Sequence, residues 1–141
     1  MASFNKYYVF VEDLAEKVHN LGSDTLKVAL SNTAPNASTH AGLADAAEIS
    51  AGNGYTAGGN SAAVTSSAQT SGTYKLVLAD PATWTASGGS IGPFRYVILY
   101  NDTSTGDRLI GWWDYGTAIT LADGESFTTD FDPSTGVLTI A

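Results

Sequence analysis

Cysteine is absent from the 141 residues, which excludes a disulfide framework and any zinc site built on thiolates. Basic residues are scarce. Six Lys and Arg against fourteen Asp and Glu leave a net charge of −8, and Lys6, Lys17, Lys27, Lys75, Arg95 and Arg108 are scattered along the chain. Nucleic acid and anionic membrane both demand clustered basic side chains, so neither is expected as a partner. No apolar run approaches the roughly 20 residues that span a bilayer, and the N-terminus has no basic segment followed by an apolar one. A protein made and folded in a cytoplasm is therefore expected. On that expectation, the glycosylation-like triplets Asn36-Ala-Ser38 and Asn101-Asp-Thr103 are chance matches.

Catalytic patterns are missing as well. His19 and His40 are the only histidines, and neither lies beside a Ser/Asp arrangement that would make a hydrolytic triad. Gly52-Asn-Gly54-Tyr-Thr-Ala-Gly58 is glycine-rich, but its spacing is not that of a dinucleotide loop and no Lys-Ser/Thr follows; a flexible loop is expected. Asp102 and Asp107 flank a hydroxyl-rich turn that lacks the ordered acidic spacing and terminal Glu of a calcium loop. Asp130 with Asp132, or Asp114 with Glu125, would need one buried carboxyl to act as a glycosidase pair; Asp130 and Asp132 fall on the exposed phase of a strand and in a turn, and solvated carboxylates are expected. No catalytic residue, cofactor site or metal ligand is assigned, and a non-enzymatic protein is expected.

What the chain does have is β pattern and aromatic rings. Charged residues make up only 14%, and Gly, Ala, Ser and Thr take their place. The organising stretch is 94–115: Phe94-Arg-Tyr-Val-Ile-Leu-Tyr100, a turn-forming loop, then Leu109-Ile-Gly-Trp-Trp-Asp-Tyr115. The first run is apolar on both faces, with Phe94, Tyr96, Ile98 and Tyr100 on one side and Val97 and Leu99 on the other. A strand with one wet face should alternate apolar with polar, so both sides of this one must be covered.

Around it the chain reads as one domain over 1–141. Residues 5–20 form a helix candidate with an apolar stripe of Phe4, Tyr8, Val11, Ala15 and Val18, ending near Gly22. Residues 25–31 alternate, with Leu26, Val28 and Leu30 inward and Thr25, Lys27 and Ser31 outward. Residues 36–72 are small and polar, an extended Gly/Ser/Thr-rich excursion with short strands near Tyr55 and Val64 and a short helix or irregular strand in 41–49. From 73 to 141 strands and turns succeed one another at roughly 8–12-residue intervals, as in a sandwich or barrel. Residues 118–121 and 126–131 form a hairpin across Asp123-Gly124.

Aromatic side chains are common interface anchors. Tyr7, Tyr8, Phe10, Tyr55, Trp84, Trp112 and Trp113 are the candidates for an interface. Adjacent Trp112 and Trp113 point to opposite faces of a strand, so one is expected in the core and the other under a separate cover. Stacking of exposed Trp and Tyr on sugar rings is the competing use.

Several blocks carry a resemblance. They are Phe4-Asn-Lys-Tyr7, Leu14-Ala-Glu-Lys-Val-His-Asn-Leu-Gly-Ser-Asp-Thr-Leu-Lys-Val-Ala-Leu30 with Asn32-Thr-Ala-Pro35, Phe94-Arg-Tyr-Val-Ile-Leu-Tyr-Asn-Asp102, Leu109-Ile-Gly-Trp-Trp-Asp-Tyr-Gly116 and Gly136-Val-Leu-Thr-Ile140. Together the chain resembles small virion structural proteins of tailed bacteriophages, and by size and β content their capsid cement, or decoration, proteins. The resemblance implies a mainly β fold, a jelly-roll-like antiparallel β-sandwich with an N-terminal α-helix. It also implies a homo-oligomer, dimer or trimer, bound to the outside of the shell of the phage major capsid protein, hence a virion location. A tail or fibre module that binds host-surface glycan is the alternative.

Overall fold

Two long runs of β-branched and aromatic residues dictate the centre of the molecule, since such side chains fit a pleated surface buried on both sides. The computed structural model describes residues 2–141. In chain order the elements are β1 (Phe4–Lys6), α1 (Tyr8–Ala15), β2 (Leu26–Ser31), α2 (Leu43–Ala46), β3 (Asn60–Ser61), β4 (Val64–Thr70), β5 (Thr73–Leu78), β6 (Trp84–Thr85), β7 (Ile91–Asn101), β8 (Arg108–Leu121), β9 (Ser126–Phe127) and β10 (Leu138–Ile140). The fold is mainly β and its pairings are antiparallel. One sheet has the order β1-β8-β7-β2-β3, a second β10-β5-β4, and β6 pairs with β9.

Strand β7 lies inside the five-stranded sheet, and from Tyr96 to Asn101 both its faces are dry. On one face Phe94, Val97 and Leu99 join Val28 and Leu30 of β2, Ile110 and Trp113 of β8, and Leu76 and Leu78 of β5 in the larger core. On the other, Tyr96, Ile98 and Tyr100 meet Ala29 and Leu109. This second face is roofed by Tyr7, Val9, Leu43 and Ala46, with Trp112 of β8 packed at its edge, so the segment around α1 and α2 supplies the second cover. Each large apolar side chain taken fully out of water contributes roughly 1.5–3 kcal/mol. A sheet with only one face covered would forfeit that at every position of the second cluster.

The structure departs from simple alternation in places that matter. Phe94 does not share a face with Tyr96: the register slips between their partners Ile119 and Asp114, and that irregularity turns Phe94 into the larger core. Residues 109–121 are not two strands but parts of the one strand β8, bent where residues 115–118 bulge out. The expected hairpin across Asp123-Gly124 does not pair with itself. Glu125 N–H donates to Ala122 O at 2.8 Å, but β9 then pairs with β6. Ser31, expected to face water, is buried and donates to the carbonyls of Ala46 and Ala47. The helix is shorter than 5–20, because residues 4–6 pair with β8 as β1.

The excursion 36–72 is anchored rather than loose. Tyr55 is buried; its hydroxyl donates to Glu48 Oε2 at 2.7 Å and accepts from Leu30 N–H at 3.0 Å. Gly58 N–H donates to the same Glu48 carboxylate, and Tyr100 Oη donates to Gly58 O at 2.5 Å. Gly59 sits at φ +71°, where a Cβ would strike Val28 O, so close approach of this segment to β2 requires glycine. No strand forms at Tyr55; the strands of this region are β3 and β4.

Trp113 is almost wholly buried in the larger core, edge-on to Phe4 at 5.3 Å and tilted against Phe131 at 5.2 Å. Trp112 is half-buried on the opposite face, 4.7 Å from Tyr7. Trp113→Ala should lower the unfolding free energy by about 3–5 kcal/mol in a denaturant titration. Trp112→Ala, which opens no enclosed cavity, should cost clearly less.

Candidate interaction surface

Helix α1 is eight residues long, too short to persist alone in water, so docking must hold it. Tyr7 at its N-cap provides no side-chain cap. Its end is set at Lys17, not Gly22. Lys17 adopts φ 69°, Val18 N–H donates to Asp13 O at 2.8 Å and Lys17 N–H to Leu14 O at 3.4 Å, the paired bonds of a Schellman stop. The inward face carries Phe10 and Asp13, both about 5% exposed.

Asp13 is neutralised by Arg108 at the start of β8, through a two-pronged contact of 2.7 and 3.1 Å. Beside it, Asn101 Nδ2 donates to Asp24 Oδ2 at 2.7 Å and to His19 Nδ1 at 3.0 Å. Because the amide nitrogen can only donate, His19 Nδ1 accepts and the ring proton sits on Nε2. That Nε2 is buried without a partner. Burial holds the His19 pKa below its ordinary value, outweighing the nearby Asp13 and Asp24 carboxylates, which act in the opposite direction. The network therefore staples α1 and the 19–24 turn to the β7–β8 end of the sheet and keeps a neutral imidazole there.

The outward face of α1 is where the expected apolar stripe lies. Tyr8 is 64% and Val11 51% exposed, and Ile140 of β10 is 39% exposed; Ala15 is exposed and Val18 half-buried. The phase of the helix is thus opposite to that read from spacing: Phe10 goes in and Tyr8 and Val11 stay out. Between α1 and β10 runs a groove of about 250 Å³ lined by Phe4, Phe10, Val11, Leu14, Leu138 and Ile140, with Lys6 also on its wall. Leu14 and Ile140 also line a neighbouring, more polar hollow of about 450 Å³ that reaches Leu21 and Tyr74. One apolar surface therefore continues from the helix across the last strand.

Of the seven aromatic interface candidates, Tyr7, Phe10, Tyr55, Trp84 and Trp113 are buried within the chain. They are core residues, not surface anchors. Trp112 is half-covered by Tyr7, and only Tyr8 is openly exposed. The signal for the actual apolar surface was Val11 and Ile140, aliphatic residues that an aromatic criterion passes over.

The acidic pairs are disposed for structure. Asp114 is held by Arg95 at 2.7 and 3.0 Å, which keeps its pKa below the usual carboxylate value with help from Gly116 N–H. Asp132 accepts from the N–H groups of Ser134 and Thr135, which lower its pKa in the same way. Glu125 accepts from Ala122 N–H, and Asp102 lies 3.7 Å from Lys27. Among the described residues no group of three or more His, Asp or Glu side chains is placed to hold a metal ion.

Arg108→Ala should strand the Asp13 carboxylate and cost on the order of 3 kcal/mol in unfolding free energy, measured by chemical denaturation at neutral pH. For His19 the sign follows from its lowered pKa: the unfolded chain takes up the proton first. Its contribution is complete above the ordinary histidine pKa and is lost as pH falls from there toward the depressed folded value. Thermal melts from pH 7.5 downward should show this loss, and His19→Gln should flatten it.

Compared with known proteins, the chain matches no family model, and no curated protein or solved structure is significantly similar to it.

Proposed function

We propose that this chain is a non-enzymatic structural protein of a tailed-phage virion, a capsid cement protein that binds the outer surface of the major capsid protein shell as a homo-oligomer. In this reading the two larger sheets form a jelly-roll-like sandwich, and α1 with β10 presents the docking face. The observation that carries it is the apolar groove of Val11, Leu14 and Ile140, with Tyr8 exposed on the same helix, on an otherwise acidic chain. Exposed apolar patches of this kind mark association sites, and a neutral, small-residue surface suits many weak contacts spread over a shell. The buried polar staple through Asp13 and Arg108 fixes the helix that carries the face, so the surface is presented ready-made and little ordering is needed on binding.

The glycan-binding alternative draws less from the geometry. It needs a flat exposed aromatic platform, and Trp84 and Trp113 are in the core while Trp112 packs on Tyr7.

Quantitative mass spectrometry of purified particles should find the protein in numbers comparable to the capsid protein; a handful of copies per particle would place it in the tail and overturn the cement reading. Val11→Lys should abolish binding to shells stripped of the protein. It should leave the melting behaviour within about 0.5 kcal/mol of the parent, as for other exposed substitutions.

A further inference from the structure

The edges of the sheets are unequal. β1, β3, β6, β9 and β10 are two or three residues long, short enough to offer little to a passing strand. β4 is the exception: seven residues at the rim of the β10-β5-β4 sheet, with Thr65 through Thr70 exposed on both faces. Its one guard is the irregularity between Val64 and Ser66, near one end of the strand. It has no lysine, proline or inward charge, and residues 49–74 carry no charged side chain at all.

The edge is also preformed. A two-residue turn at Ser71 and Gly72, with φ of 51° and 84°, joins β4 to β5, the backbone that closes a tight hairpin. Gly72 N–H donates to Gln69 Oε1 at 3.0 Å, Ser67 Oγ and Tyr74 Oη are 2.8 Å apart, and Thr65 Oγ1 donates to Val77 O at 3.2 Å. A rigid rim of unpaired main-chain groups can accept a further strand at little cost in order.

We infer that the outer edge of β4 is a self-association surface, pairing antiparallel with the same strand of a second copy. Charge chooses this occupant. A chain of net charge −8 repels its own copies over most approaches, whereas the β4 rim is neutral and lets two copies meet without opposed carboxylates. Antiparallel pairing of identical edges obeys a twofold axis, so one surface serves both partners. The side chains brought together are Ser, Thr, Ala and Gln, small and uncharged, with no like-charge pair across the junction. The irregularity between Val64 and Ser66 limits the pairing to the distal part, Ser66–Thr70. The product is one six-stranded sheet, β10-β5-β4 continued by β4-β5-β10 of the second copy. This deepens the proposed function by placing the contact between copies on β4 and leaving the α1–β10 face for the shell. It rests on that reading only for the use made of the pair, because particle copy number tests the reading and the state of the isolated protein tests the edge.

Sedimentation velocity over a concentration series into the high micromolar range should show a reversible dimer of the parent protein. Ala68→Lys should weaken that dimer about tenfold or more with an unchanged circular dichroism spectrum and melting temperature. The cysteine-free chain allows a second measurement that does not depend on that variant folding. Ser67→Cys or Ala68→Cys should give an intermolecular disulfide under mild oxidation, and Tyr8→Cys should not. A parent that stays monomeric throughout, a dimer untouched by Ala68→Lys but dissolved by Val11→Lys, or cross-linking from Tyr8→Cys alone would each overturn the assignment.

Discussion

From Tyr96 to Asn101 strand β7 has no wet face, and that constraint shapes the rest of the molecule. A strand carrying Val97 and Leu99 on one side and Tyr96, Ile98 and Tyr100 on the other cannot belong to an open sheet with a solvated surface. One side is met by β5 and β10. The other is met by a roof made from the first 46 residues: Tyr7, Val9, Leu43 and Ala46, with Trp112 leaning on Tyr7. Each polar staple can be understood as holding that roof down. Arg108 clasps Asp13 of α1, Asn101 gathers His19 and Asp24, and Ser31 reaches up to the carbonyls at the end of α2.

These staples have a shared logic. The roof elements are short, an eight-residue and a four-residue helix, and neither could fold by propensity. They are held by buried or half-buried polar groups whose desolvation is offset by charge-assisted bonds. The same device secures the 48–58 segment, where one Glu48 carboxylate takes bonds from Tyr55 and Gly58. Fixing the roof in this way also fixes which side of α1 stays in water, and so creates the apolar face of Tyr8 and Val11.

Much of the β framework was legible in the residues. The strands around 26–31, 73–78 and 94–101, the mainly β character and the need for two covers all follow from spacing and side-chain type. The opposite placement of Trp112 and Trp113 follows from the two-residue period of a strand. What was illegible depends on distant partners. Local periodicity could not reveal that residues 4–6 pair with β8, and that pairing shortens the helix and resets its phase, so Phe10 and Asp13 turn inward. Nor could it show the register slip that moves Phe94 to the other face, since a bulge leaves no mark in composition. Asp123-Gly124 turns the chain, but only Gly124 takes a positive φ rather than both residues as a tight hairpin needs, and the strand after it pairs with β6, its Phe127 stacked with Trp84 at 6.1 Å. The exposed apolar surface of Tyr8, Val11 and Ile140 was the least legible part. Aromatic rings anchor interfaces and fill cores alike, and five of the seven candidates lie inside.

The pairing of β1 with β8 has a bearing on biosynthesis. Phe4 lies opposite Trp113, so residues 4–6 have no sheet partner until the chain has been made through residue 113. Tyr7 and α1 share that wait, since the surface they roof is assembled from β7 and β8. Contacts of such long sequence separation slow folding by loop-closure entropy, and the nascent chain must carry residues 4–6 unpaired until β8 has emerged. The 36–72 stretch that emerges meanwhile is made mostly of Gly, Ala, Ser and Thr, so it offers few large apolar side chains to mispair with them.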